Sequence, residues 1–216
     1  MKRTIPVLIF TGLMALSAVA FKNTGKEVLP SCSSAHSGKK LVWSDEFSYA
    51  GLPDDSKWSY DTAGNERGWG NKESQFYTKA RLKNAEVKDG YLFINAYRED
   101  YKGFKYTSAR LITKEKGDWL YGRMEIKAKL PDGRGMWPAI WMLPTDWEYG
   151  GWPASGEIDI MENVGYDPYV ILASAHTQSY NHVKGTQKSG KITIPDCYSE
   201  FMYIPLSGRQ MNTGFM

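Results

Sequence analysis

Apolar and polar positions along this chain repeat with the period of a β-strand rather than of a helix. From Tyr121 to Leu130, the residues Met124, Ile126, Ala128 and Leu130 fall on one face, and Arg123, Glu125, Lys127 and Lys129 on the other. Ala85 to Ala96 reads as two strands joined at Asp89-Gly90, a strong signal for a tight hairpin turn. Pro131-Asp132-Gly133 and later Gly and Pro clusters mark further turns, and no long segment carries helical periodicity. Many short strands with frequent turns predict an all-β fold, an antiparallel β-sandwich, with no internal repeat.

One predicted strand is chemically unusual. Glu157-Ile158-Asp159-Ile160-Met161-Glu162 sets three acids among apolar residues. In a regular strand Glu157 and Asp159 share a face and Glu162 points to the other. A β-bulge at Ile160 and Met161 makes two residues count as one and returns Glu162 to the face of the first two. Like charges that close repel and raise a carboxyl pKa, an arrangement usually retained where chemistry uses it. The plainer alternative is an exposed acidic strand edge.

The chain has 216 residues, the size of one sandwich domain. Its net charge of +3 is small and spread along the sequence, so it suggests no nucleic-acid surface and none is expected. Aromatic residues make up 14%, including 8 Trp and 14 Tyr. Flat rings of this kind either fill a β core or stack on the C–H faces of sugars.

The acidic run, its flanks Met136-Trp137-Pro138-Ala139-Ile140-Trp141 and Gly151-Trp152-Pro153, and Ala175-His176-Thr177-Gln178 downstream together resemble glycoside hydrolase family 16. Within it they resemble the laminarinase-like, endo-β-1,3-glucanase branch, whose acidic strand carries the extra Met. Leu41 to Phe47, Gly70 to Thr78 and Thr107 to Thr113 continue the match, so that it runs in order from about Leu41 to Phe201.

The resemblance implies a concanavalin-like jelly roll and a retaining endo-β-glucanase acting on β-1,3 or mixed β-1,3/1,4 glucans by double displacement. Glu157 is then the nucleophile, Glu162 the acid/base, and Asp159 the residue that adjusts its neighbours. Trp137, Trp141 and Trp152 are candidates for a sugar platform, with core packing as the competing role, strongest for Trp141. Asn71 and Arg110 match positions that contact substrate hydroxyls, although each could equally make a surface hydrogen bond or ion pair. His176, with Gln178 two residues on, is expected to face the cleft. The same resemblance leaves two rivals: a galactan-type hydrolase or transglycosylase, and a non-catalytic carbohydrate-binding protein.

No metal is needed for two-carboxylate chemistry. The resemblance does imply a structural calcium, to which Glu46 and Gly90 would contribute without a visible third ligand. The expected partner is a β-glucan polysaccharide, with no membrane span and a monomeric chain.

Met1-Lys2-Arg3, the apolar stretch Ile5 to Leu16, and Ser17-Ala18-Val19-Ala20 have the parts of a secretory signal peptide cleaved after Ala20. Residues 21–40 then form a flexible polar leader and 41–201 the catalytic domain. A lipid attachment at Cys32 is the minority alternative to free secretion. Cys32 and Cys197 are the two cysteines, and both are expected to be unpaired thiols. Residues 202–216 depart from the family pattern, and permitted codons regrouped by one base give a family-like continuation. The tail is therefore expected to be a frameshifted replacement for C-terminal strands that the sandwich lacks, leaving an unstable chain of doubtful activity.

Overall fold

The computed structural model describes residues 5–10 and 39–208. Among them the strands are β1 (Ile5–Phe10), β2 (Ser59–Tyr60), β3 (Gln75–Tyr77), β4 (Ala85–Lys88), β5 (Tyr91–Tyr101), β6 (Phe104–Ser108) and β7 (Leu111–Ile112). They continue as β8 (Gly122–Lys129), β9 (Ala139–Met142), β10 (Glu157–Glu162), β11 (Val170–His176), β12 (Lys188–Thr193) and β13 (Met202–Gly208). Helical structure among the described residues is confined to the 3-10 turns Asn65–Gly70 and His182–Lys184.

A seven-stranded sheet runs β13-β8-β1-β5-β6-β3, with β4 added on β5, and a four-stranded sheet runs β12-β11-β10-β9. The small pair β2-β7 stands apart. All pairings are antiparallel except β3 with β6. This is the predicted all-β, sandwich-type architecture.

Local chemistry explains the best-formed parts. Asp89 and Gly90 both have positive φ, 54° and 78°, as a two-residue primed turn requires. On β8 the burial deepens from Met124 and Ile126 to the fully buried Ala128. Two apolar clusters hold the sheets. Phe47, Val87 and Leu92 form one, packed by Trp58, Ile94 and Leu111. Leu130, Met161, Ile171, Cys197 and Met202 form the other, directly under the acidic strand. Cys197 is thus a buried free thiol, while Cys32 and the leader lie outside the described residues.

The departure from a strand pattern expected over residues 202–216 does not extend to the first seven of them. Met202–Gly208 is an ordered strand in register with β8, from Met202 opposite Ala128 to Gly208 opposite Gly122. Met202, Ile204 and Leu206 alternate inward against the exposed Tyr203, Pro205 and Ser207. Pro205 disguises this pattern, but the strand lies at the sheet edge, where a residue without an N–H is tolerated. Residues 209–216 lie outside the described part.

Candidate active site

Strand β10 carries the bulge. Against β9 its register passes from Asp159 opposite Trp141 to Met161 opposite Ile140, so Ile160 is the extra residue. Against β11, Glu157, Asp159 and Glu162 stand opposite His176, Ser174 and Leu172. Those β11 partners are two residues apart and therefore share a face. Three steps on β10 are matched by two on β11, and Glu162 rejoins Glu157 and Asp159 on that face. Met161, 1% exposed, turns into the core instead.

The three acids line one open cavity of about 3330 Å³. Trp137, Trp141, Trp152, Asn71, Arg110 and His176 line it as well. Leu92, Ile94 and Ile126 are also reached by it, so the space between the sheets is continuous with the cleft. Ile158, between Glu157 and Asp159, points to the opposite face of β10 and is 41% exposed.

Each acid has a distinct environment. Asp159 is buried, and its carboxyl is pushed up to about 8, first by that burial and then by the charges of Glu157 and Glu162. It hydrogen-bonds to Glu157, and its Oδ2 lies 3.1 Å from His176 Nε2. Near neutral pH its neutral, protonated form is therefore favoured. Glu162 is also pushed up by burial and by the Glu157 charge, while the Trp137 indole, donating to its Oε1 at 2.9 Å, pulls the other way. Glu157 accepts a hydrogen bond from the indole of Trp152. Trp137 and Trp152 are therefore hydrogen-bonded to the two outer acids as well as being cleft walls.

Arg110 sits between two indoles, its guanidinium carbon 4.1 Å from the Trp69 ring centre and 4.4 Å from that of Trp141. Its Nε is 3.2 Å from Asp61 Oδ2. Trp141 thus supports a cation as well as packing. Asn71 is exposed and reaches Glu73 Oε1 at 3.5 Å, and Glu73 also accepts from Gln75 and Tyr77. The Trp69 loop is tied down by buried Asn65, whose Oδ1 accepts from the Trp69 indole and the Tyr77 N–H. A Cβ at Gly64 would come within 2.4 Å of the Trp69 ring, so only glycine permits this approach.

Gln178 does not join the site. Strand β11 ends at His176, and Gln178 is exposed in the following turn, where its carbonyl accepts from Asn181 and Lys184. Of the pair expected to face the cleft, His176 does so and Gln178 does not, because the strand ends before it. Glu46 and Gly90, expected to contribute to a calcium site, occupy these positions. Glu46 is exposed, Gly90 lies in the β4–β5 turn, and no group of three His, Cys, Asp or Glu able to hold a metal occurs among the described residues. Trp69, Asp61, Glu73 and His182 are cleft residues that sequence reasoning missed. A Trp between two glycines, Gly68 and Gly70, was the available signal for the first.

The chain belongs to glycoside hydrolase family 16: residues 72–201 match the family described as XgeA-like, catalytic GH16 domain. It is 56% identical over 164 residues to a β-glucanase of Rhodothermus marinus, covering 75% of this chain and 57% of that protein. A glucan endo-1,3-beta-glucosidase of Cryptopygus antarcticus is 42% identical over 177 residues, covering 80% and 63%. The chain therefore spans less than two thirds of the length of these relatives. The X-ray structure of the laminarinase from Rhodothermus marinus superposes with a TM-score of 0.75 at 54% identity, covering 78% of this chain and 67% of that one.

Proposed function

We propose that this chain is built as a retaining endo-β-glucanase for β-1,3 or mixed β-1,3/1,4 glucans. The observation that carries the reading is the bulge in β10, which puts Glu157 and Glu162 on one cleft wall with Asp159 between them. Retention needs a carboxylate and a carboxylic acid about 5 to 5.5 Å apart across the scissile bond.

In the first step a Glu157 oxygen bonds to the anomeric carbon as the bond to the leaving oxygen breaks. Glu162 gives its proton to that oxygen, so a glycosyl ester, a free hydroxyl and a Glu162 carboxylate result. In the second step water attacks the same carbon, Glu162 takes the water proton, and Glu157 leaves as carboxylate. The raised pKa of Glu162 suits the first step, and neutralising Glu157 in the ester lowers it for the second. Asp159, protonated, donates to Glu157 without adding a second negative charge beside it. Arg110, Asn71 and the indoles hold the sugar.

The names of the relatives favour glucans over galactans, and three retained acids favour hydrolysis over binding alone. The polypeptide acts as a monomer and is exported, with cleavage after Ala20, or lipid-anchored at Cys32 as the alternative. Among the described residues no helix is long and apolar enough to cross a membrane. Reducing-end assays on laminarin, lichenan and agarose test the assignment. Activity on the first two, lost by roughly a thousand-fold or more in Glu157→Gln, is expected. Near-normal hydrolysis by that variant sinks it.

A further inference from the structure

We infer that His182 is a positioning residue for Glu157, acting through Trp152. The inference rests on the reading of Glu157 as nucleophile. The Trp152 indole donates its N–H to Glu157 Oε2, and the His182 ring lies over that indole, with centroids 4.7 Å apart and planes inclined by 31°. His176 meets the edge of His182 at 5.3 Å and 84°, and lies 5.9 Å from Trp152. Three rings from three segments thus close on one another beside the acid.

The turn that carries His182 is fixed independently of the cleft. Asn181, 1% exposed, caps it: its Oδ1 accepts from the Lys184 N–H at 3.2 Å, and its Nδ2 donates to the Thr177 carbonyl at 3.1 Å. Gly185, at φ 64°, closes the turn. The backbone that carries the exposed imidazole is therefore held by hydrogen bonds, whereas half-buried Trp152 lies in the long connection between β9 and β10, and both rings line the open cavity. An indole free to rotate would swing its single donor off the carboxylate. Stacking against a fixed ring removes that freedom, and so keeps the attacking oxygen oriented.

His182 touches no reacting atom in this role, which sets the signature to look for. In the full chain acting on laminarin, His182→Ala should lower kcat about ten-fold, within the range a misplaced reacting group costs, and leave KM nearly unchanged. His182→Phe, which keeps a ring, should recover most of the rate. Trp152→Phe, which keeps a ring but loses the donor, should match His182→Ala, and the double variant should lose no more than Trp152→Phe alone. A second measurement needs no turnover: the indole N–H resonance of Trp152, assigned by its loss in Trp152→Phe, should move upfield in His182→Ala and stay in place in His182→Phe.

An unmoved resonance, unchanged kcat in His182→Ala, or additive losses in the double variant overturns the inference. Equal losses in His182→Ala and His182→Phe also overturn it, because the imidazole would then act in its own right. If His182→Ala unfolds, His182→Gln, which keeps a polar turn residue without a ring, carries the same expectations. Glu157→Gln assayed alongside separates the two claims. If it is inactive while His182→Ala is normal, only the positioning role fails; if it is active, the site assignment fails.

Discussion

His176 Nε2 lies 3.1 Å from Asp159 Oδ2, with both side chains less than a tenth exposed. This contact sits at the centre of the acidic strand, yet it does not hold the carboxyl ionised. Burial and the two flanking glutamates outweigh it and push Asp159 up to about 8. A group raised in the folded state contributes stability that is fully present below its unfolded value and lost as pH rises through the folded one. For Asp159 that window runs from its ordinary 3.8 to about 8. Asp159→Asn, which cannot ionise, should therefore gain on the parent across this window. Thermal melts at pH 4 and pH 9 should show little difference at the first. At the second Asp159→Asn should melt at a clearly higher temperature than the parent, because the parent has lost the stability its neutral carboxyl supplied. Activity should fall, since the donor to Glu157 changes. A variant destabilised at pH 9 would mean that the His176 contact outweighs burial and the flanking charges.

The two glutamates can be told apart by their indoles. Trp137 donates to Glu162 at 2.9 Å, which favours the ionised form and partly offsets the upward push of burial. Trp137→Phe removes that donor and keeps a ring on the cleft wall. The pKa of Glu162 should rise further, moving the basic limb of the kcat/KM profile to higher pH. The acid limb should stay where it is. A profile whose basic limb is unmoved or shifts to lower pH counts against Glu162 as the proton donor.

The underside of β10 is as necessary as its acidic face. Met161 is 1% exposed and packs with Leu130, Ile171, Cys197 and Met202. Met161→Ala empties that volume beside the bulge and should cost about 2–5 kcal/mol in urea unfolding. On the same strand Ile158 is 41% exposed, so Ile158→Ala should cost only a fraction of that. Equal losses at the two positions would mean that the pleat is not offset at Ile160.

What was legible in the sequence was local. Asp89-Gly90 announced its turn because only a few residue types accept two positive φ values in succession, and β8 announced itself by clean alternation. The bulge was legible because three acids and an extra Met admit one register that unites them. The Pro205 strand was hidden because its position at a sheet edge is a fact about β8, not about Met202–Gly208. The Trp69–Arg110–Trp141 stack joins residues far apart in the chain, and nothing at Arg110 alone separates it from a surface ion pair. Gln178 was misplaced because a matched motif does not show where β11 ends. His182 was missed because a single His in a polar turn has no pattern of its own.

The N-terminal segment has two mutually exclusive uses. Ile5–Phe10 pairs with β5 and β8, with Val7 opposite Ile94 and Ile9 opposite Ala128, yet the same residues form the apolar heart of the expected signal peptide. Cleavage after Ala20 would remove the strand and leave the facing edges of β5 and β8 without it. Exposed edges of that kind invite pairing between molecules. Intact mass of the protein recovered from a secreting host should place the first residue at Phe21. The processed chain should then unfold at lower urea and sediment as larger species than a chain kept whole in the cytoplasm. A secreted product that retains Ile5–Phe10 would instead make this segment a permanent strand of the sheet and withdraw the cleavage site.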